Sequence, residues 1–455
     1  MNVTGIIAEY NPLHSGHRYH MERSRKETGA DYIIAVMSGD YVQRGEPAVL
    51  DKHTRARMAL LSGADLVLEL PFPFCCSSAE DFAASGTGVL DALGVTDTLS
   101  FGSESGDLEN MKKAARFLAR EPEEFRLALK DALAAGQSFP AARQTALSQV
   151  LGTDADRKNK DQVSGTGSLS KPQVPGADSL GKPQIPGPNS LGKPQIPGTG
   201  SLSDSGFLAQ PNNILGIEYL KALRRLDSRI RPFTISRAGS GYHESSVEER
   251  AFASATALRR LLREGDLSGL RNQVPPEILP LFSQGHFLFP EDCSQILNYA
   301  ILMAQPGGYV RFNGFSKELS DRLACQAADG GSWNERILRL KTRNYTYTRI
   351  SRALLSLMLN LTKEEADSWK DDFGPAPFTR ILGFRRTAAP LLSAVKKHSS
   401  IPVIAKAADA EKLLPPKAAV MFRRGMEASQ IRSSILAGKY GLSPVNEYRR
   451  PIQIL

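Results

Sequence analysis

The sequence predicts an α/β protein, with a doubly wound parallel sheet in its first part and a mainly helical region in its last. Three observations carry that expectation. Short apolar runs alternate with helix-compatible segments over residues 3–102, helical periodicity dominates from about residue 250, and a proline- and glycine-rich repeat lies between the two.

The first run, residues 3–8 (VTGIIA), has the unbroken apolar character of a buried parallel strand. A turn-rich stretch, EYNPLHSGH, follows it, and Arg18 to Thr28 is polar and helix-compatible, with Gly29 placed to stop the helix. Residues 31–37 (DYIIAVM) read as a second strand, Thr54 to Ser62 as a helix, 65–70 (DLVLEL) as a third strand and Glu80 to Leu93 as a helix. A fourth strand at 95–101 ends in Gly102. Ligands on doubly wound sheets bind at the carboxyl ends of strands. The loops at 9–17, 38–47 and 102–106 are therefore the ones expected to bear a site.

Residues 152–205 differ in kind. SLSKPQVPGAD, SLGKPQIPGPN and SLGKPQIPGTG repeat every eleven residues from Ser168, without one aromatic residue. Such a composition buries too little apolar surface to offset ordering entropy, and the prolines forbid a helical coil. A disordered, inert insertion is expected. After it, PNNILGIEYLKAL (211–223) reads as a loop feeding an amphipathic helix and 233–236 as a strand. Helices are expected at 254–264, 291–304, 316–327, 334–342, 348–361 and 427–437, with short strands at 382–384 and 402–405.

The chain has 455 residues, too many for one compact core, so two or three domains are expected. With 41% hydrophobic and 23% charged residues, it has the composition of a soluble protein. A formal charge of +9 permits a polyanionic partner without requiring one. Cys75, Cys76, Cys293 and Cys325 form no CxxC spacing, which supports neither a zinc knuckle nor a disulfide framework. The most apolar run, Leu66 to Cys76, is too short and too broken by Glu69 and two prolines to span a bilayer. No signal-peptide pattern opens the sequence, so a cytoplasmic protein without membrane association is expected.

The chemistry points to His14-Ser15-Gly16-His17, directly after a buried strand and before a helix. Gly16 admits a phosphate close to the backbone, the helix start offers N–H groups and a positive dipole end, and two imidazoles can bond phosphoryl oxygens that gain charge during attack. A second string, Ser254-Ala-Thr-Ala-Leu-Arg259, opens a helix with Ser254 as N-cap. Ser254, Thr256 and Arg259 are spaced to hold β- and γ-phosphates, although a plain capped helix would look the same. For residues 336–352 (RILRLKTRNYTYTRISR), six basic residues and no acidic one suggest an RNA contact surface. Lys341, Arg343, Arg349 and Arg352 would neutralise phosphates, and Tyr345 and Tyr347 would stack on unpaired bases. A solvated basic helix face is the plainer alternative.

HSGH together with SATALR resembles the motif pair of the nucleotidylyltransferase superfamily, a pair shared in its first half with class I aminoacyl-tRNA synthetases. A longer ordered set covers nearly the whole chain outside the repeats: GIIAEYNPLHSGHRYH, MSGDYVQRGEPA, DLVLELP, FGSESG, PNNILGIEYLKAL, SRAGSGYHE, FASATALR and KTRNYTYTRISRALL. It resembles the tRNA(Met) cytidine acetate ligase family. The resemblance implies a HUP-like nucleotidylyltransferase domain in which ATP and acetate give acetyl-adenylate and pyrophosphate. The acetyl group then passes to N4 of the wobble cytidine of elongator tRNA(Met). It also implies an ATP site. Ile7, Ala8, Glu9, Tyr10, Asn11, Pro12 and Leu13 lead into it, and His14, Ser15, Gly16, His17, Arg18, Tyr19 and His20 continue it. Gly102, Asn212, Asn213 and Arg237 complete it, with Mg2+ carried by the nucleotide.

The sequence departs from that family's pattern at Asp40-Tyr41, where Asn-Phe is usual, at His53 for Trp, and at Tyr347 for His. On this reading residues 1–151 form the first part of the α/β domain, 152–206 the insertion, 207–265 the completion of the nucleotide-binding domain and 266–455 a mainly helical RNA-binding domain. Two other functions fit the same motifs: a small-molecule adenylyltransferase, and a non-enzymatic RNA-binding protein. The first leaves the basic C-terminal region without a role, and the intact histidine pair speaks against the second.

Overall fold

A computed structural model describes residues 1–137, 141–150, 207–236 and 253–455. The repeat insertion at 152–206 and Arg237 lie outside the described residues.

The first half alternates strand and helix. β1 (Val3–Ala8) leads to α1 (Ser15–Thr28), then β2 (Tyr32–Ser38) and a small hairpin of β3 (Tyr41–Val42) and β4 (Glu46–Pro47). α2 (Lys52–Leu61), β5 (Leu66–Leu70), α3 (Ala79–Ala92) and β6 (Thr98–Ser103) follow. Next come α4 (Leu108–Arg120), α5 (Glu123–Ala134) and a helix α6 over 141–150. α7 (Pro211–Arg225), β7 (Arg231–Ser236) and α8 (Ala255–Glu264) complete this half.

β5, β2, β1, β6 and β7 are neighbours in that order, and every junction among them is parallel. The chain builds outward from β1 through β2 to β5, then returns to lay β6 and β7 on the other side. The order reverses between β1 and β6, and the crevice above their carboxyl ends is where such sheets take a ligand.

Side chains alternate between two cores, one on each face of the sheet. Ile34 and Val36 join the core under α3, α4 and α7, whereas Ile33, Ala35 and Met37 join the core under α1, α2 and α8. This is the doubly wound arrangement. Gly5 fits it closely, because a Cβ there would stand 2.6 Å from the Leu90 methyls of α3.

The second half is mainly helical: α9 (Leu279–Ser283), α10 (Ser294–Ala304), α11 (Lys317–Ala324), α12 (Trp333–Leu340), α13 (Tyr347–Met358) and α14 (Lys363–Phe373). It then contributes strands. β8 (Thr379–Phe384) pairs antiparallel with β5, extending the first sheet. α15 (Ala389–His398), β9 (Val403–Ile404), α16 (Ala410–Leu413), the long α17 (Pro416–Tyr440) and β10 (Gln453–Ile454) follow. β9 and β10 both pair parallel with β8. The short strands expected at 382–384 and 402–405 therefore belong, with β10, to the far edge of an eight-stranded, mainly parallel sheet. α10–α13 pack around a core of their own that includes Trp333, Leu354 and Tyr309. Among the described residues no helix is long and apolar enough to cross a membrane.

Candidate active site

The histidine pair stands at the switch point. β1 ends at Ala8, Tyr10 takes a left-handed turn (φ 49°), and His14 caps α1. The two rings lie 3.8 Å apart, tilted by 32°. Nδ1 of His14 accepts from the Gly16 amide (3.1 Å), and Nδ1 of His17 accepts from the His14 amide (3.2 Å). A neutral imidazole with Nδ1 accepting carries its proton on Nε2. The turn thus assigns the tautomer of both histidines and makes each Nε2 a donor.

The helix-start amides are not the orphans the sequence suggests. Ser15 N–H donates to the Gln273 carbonyl (2.9 Å), Gly16 N–H to His14 Nδ1, and His17 N–H to the His14 carbonyl (2.9 Å). The dipole of α1 still points its positive end at the turn, but the hydrogen-bond donors for a phosphate have to come from side chains.

The second string docks on the first. Arg259 Nη1 donates to the Asn11 carbonyl (2.7 Å) and Nη2 to Thr256 Oγ1 (3.1 Å). Ser254 Oγ caps α8 by accepting from Ala257 N–H (3.2 Å). The Gln273 side chain accepts from Ala253 N–H (2.8 Å) while its carbonyl holds Ser15, so one residue fastens both helix starts together. Burial lowers the Arg259 guanidinium from its ordinary value, and Glu46 and Glu9 act against that.

The crevice's other wall is the end of β6. Gly102 pairs with Ile235 of β7, one residue before the strand ends. Beyond it, Glu104 is clamped to α7: its carboxylate accepts from the Asn212 amide nitrogen Nδ2 (2.7 Å) and from Asn213 N–H (2.8 Å). Asn213 Oδ1 accepts from Glu104 N–H and Ser105 N–H, and its Nδ2 donates to the Phe207 carbonyl and Gln210 Oε1.

These bonds use both ends of the Asn213 amide, and the residue is fully buried. In this arrangement the side chain acts as a strut between β6 and α7. Tyr10 and Leu13 are core side chains too, so any ligand contact from them is through backbone. Arg18 faces outward to Glu22 (2.7 Å) and Glu277 (2.8 Å). Tyr19 lies under Arg23, and His20 Nε2 is 3.0 Å from Ser100 Oγ of β6.

The basic segment meets the site through the β3–β4 hairpin. Arg352 Nη1 donates to the Gln43 carbonyl (3.4 Å), and Ser351 Oγ to the Gly45 carbonyl (2.9 Å). Gly45 has φ +78°, and a Cβ there would stand 2.4 Å from the Arg352 backbone nitrogen, so only glycine admits α13 this close. Lys341, Arg343 and Arg349 are exposed. The Tyr345 ring, expected to stack on a base, is buried, with Arg349 over it at 4.7 Å and its hydroxyl against Ser316 and Glu318. Tyr347 is half-buried against the helical core. Burial, with Glu46 and Glu291 nearby, pushes its hydroxyl up to about 12. Arg336 is a core residue bonded to Asn298 and the Ala327 carbonyl.

A family model described as HIGH nucleotidyl transferase matches residues 1–443. The chain belongs to that family. A tRNA(Met) cytidine acetate ligase from Caldanaerobacter subterraneus subsp. tengcongensis is 35% identical over 436 residues, covering 95% of this chain and 94% of the relative. One of the same name from Acetivibrio thermocellus is 35% identical over 425 residues, 91% of each chain. Among solved structures, apo Thermotoga maritima TmcAL superposes with a TM-score of 0.82 at 29% identity, covering 100% of both chains. The same protein bound with alpha-thio ATP gives 0.78 at 30%, covering 99% of this chain and 97% of that one. The resemblance carried by the motifs thus extends along almost the full length.

Three buried features escape the motif reading. Arg55 of α2 donates to the carbonyls of Glu9 (2.6 Å), Ser38 (3.1 Å) and Leu50 (3.0 Å), and also to that of Gly39, tying the loops after β1 and β2 together. Gln273 is the second. The third is an ionic cluster in which Glu447 meets Arg380 (2.7 Å), His53 (2.9 Å) and Lys52 (3.1 Å). Two of the departures from the family pattern belong to this zone. Asp40 accepts from Lys52 N–H, and His53 bonds Glu447. Tyr41 hydroxyl donates to the Ala428 carbonyl of α17. Tyr41 thus fastens the hairpin to α17, whereas Asp40 bonds the start of α2 and His53 bonds the segment that follows α17. No local pattern marks any of the three, because most of their partners are far away in sequence. Among the described residues no group of three or more His, Cys, Asp and Glu is arranged to hold a metal ion.

Proposed function

We propose that this protein is an ATP-dependent acetate ligase that forms acetyl-adenylate and acetylates N4 of the wobble cytidine of elongator tRNA(Met). The observation that carries the reading is a juxtaposition. A tautomer-fixed histidine pair stands at the sheet's switch point, and the basic segment of α13 docks on the adjoining hairpin through Arg352 and Gln43. The relatives' names and the nucleotide in the T. maritima structure support it.

In the first step an acetate oxygen attacks the α-phosphorus of ATP and pyrophosphate leaves. Charge gathers on the phosphoryl oxygens, where His14 and His17 donate through Nε2 and the α1 dipole adds its positive end. Ser254, Thr256 and Arg259 hold the outer phosphates. Mg2+ would ride on the phosphate oxygens and supply charge neutralisation there; the chain's own part is to position the nucleotide. In the second step the cytidine amine attacks the acetyl carbonyl and AMP departs. The mixed anhydride is a strong acyl donor, so alignment and exclusion of water are the main demands. Lys341, Arg343, Arg349 and Arg352 would hold the RNA backbone. The chain would act in the cytoplasm, with residues 207–265 completing the nucleotide site begun by 1–151, and 266–455 presenting the tRNA.

The test is to incubate the protein with ATP, Mg2+, labelled acetate and bulk tRNA. Label in tRNA that requires acetate and ATP supports the reading. Adenylyl transfer to a small phosphate ester, or RNA binding without ATP turnover, contradicts it.

A further inference from the structure

The acyl transfer must remove a proton from the cytidine amine, and the phosphate-binding groups described above are donors, unsuited to take it. We propose that the Glu9 carboxylate, at the end of β1, accepts that proton. The inference rests on the acetate ligase reading.

Three observations support it. Glu9 immediately follows β1 at the switch point, five residues before His14, so it borders the place where an α-phosphate and its acetyl group would lie. Its Oε1 accepts from Gln43 N–H (2.9 Å), and the Gln43 carbonyl in turn accepts from Arg352 of the basic segment. One residue therefore separates this carboxylate from the surface that would carry RNA. Finally, the fold does not use the carboxylate for pairing. Asp40, Asp51, Glu69 and Glu447 are each ion-paired, whereas Glu9 enters no ion pair among the described residues.

The charged and titratable groups facing it are Arg44 and Glu46 from the hairpin, Arg55 from α2, Arg259 from α8 and Tyr219 from α7. Burial raises the carboxyl, and the Gln43 amide and the three arginines act in the opposite direction. The net rise makes it a better base than a solvated carboxylate.

In the transfer step the N4 lone pair forms the new C–N bond. The bond from the acetyl carbon to the phosphate oxygen breaks, and its electron pair leaves on AMP. The N4 proton passes to Glu9 and then to water. In the first half-reaction no proton needs to move, so Glu9 is not needed there as a base and its loss would act on exchange only through its place beside the nucleotide.

That difference gives the experiment. Acetate-dependent ATP–pyrophosphate exchange reads the first half-reaction. Single-turnover transfer from preformed acetyl-adenylate to tRNA reads the second, across a pH series. Glu9→Gln is expected to lower exchange by less than about tenfold and transfer by about 10²-fold or more. The wild-type transfer rate is expected to rise with pH along a limb that Glu9→Gln lacks.

Glu9→Asp keeps a carboxylate and is expected to retain the limb and part of the rate. Equal loss of exchange and transfer in Glu9→Gln overturns the proposal, as does undiminished transfer. So does a folded Glu9→Asp without the limb, or a limb that vanishes instead in Glu46→Gln. Wild-type protein that exchanges pyrophosphate but never labels tRNA would sink the acetate ligase reading itself, a result distinct from each of these.

Discussion

Each of the two histidines has its Nδ1 occupied by a backbone amide of the same turn. Orientation and tautomer are therefore built into the α1 cap and need no substrate to establish them. His17→Ala removes one Nε2 donor and half of the capping box. Adenylate formation, read by pyrophosphate exchange, is expected to fall by about 10²-fold or more, while tRNA affinity stays unchanged. Equal loss of both would mean a general collapse of the fold.

At this scale the sequence is unevenly legible. HSGH is readable because its chemistry is local: strand, turn and helix start lie close together along the chain. Arg55 is not readable, since three of its four carbonyl partners lie 16 to 46 residues away and nothing local marks an arginine as buried. The burial of Asn213 and Tyr345 is equally invisible in the sequence, because their residue types suit a ligand as well as a strut.

Among elements, the β3–β4 hairpin is the joint between nucleotide crevice and basic segment, touching Glu9 on one side and α13 on the other. Neutralising Arg343 and Arg349 together is expected to weaken tRNA binding and flatten its dependence on salt, by roughly one counterion for each phosphate left without its arginine. Pyrophosphate exchange should be unaffected, and a matching fall in exchange would argue that these arginines serve the nucleotide.

The ionic cluster under α2 and β8 makes a second prediction. Burial alone would raise the Glu447 carboxyl, but Lys52, His53 and Arg380 outweigh it and hold the group well below the usual carboxylate range. A depressed folded value stabilises the fold above the ordinary carboxylate pKa, and that contribution is lost as pH falls toward the folded value. Glu447→Gln should therefore cost about 3–5 kcal/mol near neutral pH, because it leaves the buried Lys52 and Arg380 with Glu69 as their one shared carboxylate. The deficit, measured by urea unfolding, should shrink below pH ~4; a deficit independent of pH would contradict the assignment. Elements with strong periodicity and caps, such as α8 and α13, are visible in sequence. β10 is not, because two residues pairing with β8 have no period to show.

For the whole molecule, the sheet is assembled from both halves of the chain. The four early strands are legible from their apolar runs to within about three residues at each end. The strands at 382–384 and 402–405 are legible too, but their place at the edge of this sheet is not, since the antiparallel junction of β5 with β8 joins segments some 300 residues apart. The insertion's tolerance can be argued from its flanks: Leu208 N–H donates to Gln144 Oε1 at 2.7 Å, so the chain departs and returns at one place. Deleting 164–203 is expected to leave tRNA acetylation nearly intact, because loop length alone changes closure entropy only slowly. A large loss of activity would assign the repeats a role.

The most direct test of the central claim is a crystal structure of this protein with a non-hydrolysable ATP analogue. The expected result is Nε2 of both His14 and His17 within about 3 Å of phosphate oxygens at the α-phosphate side of the chain. Rings turned away from the nucleotide, with the phosphates held elsewhere in the crevice, would contradict it.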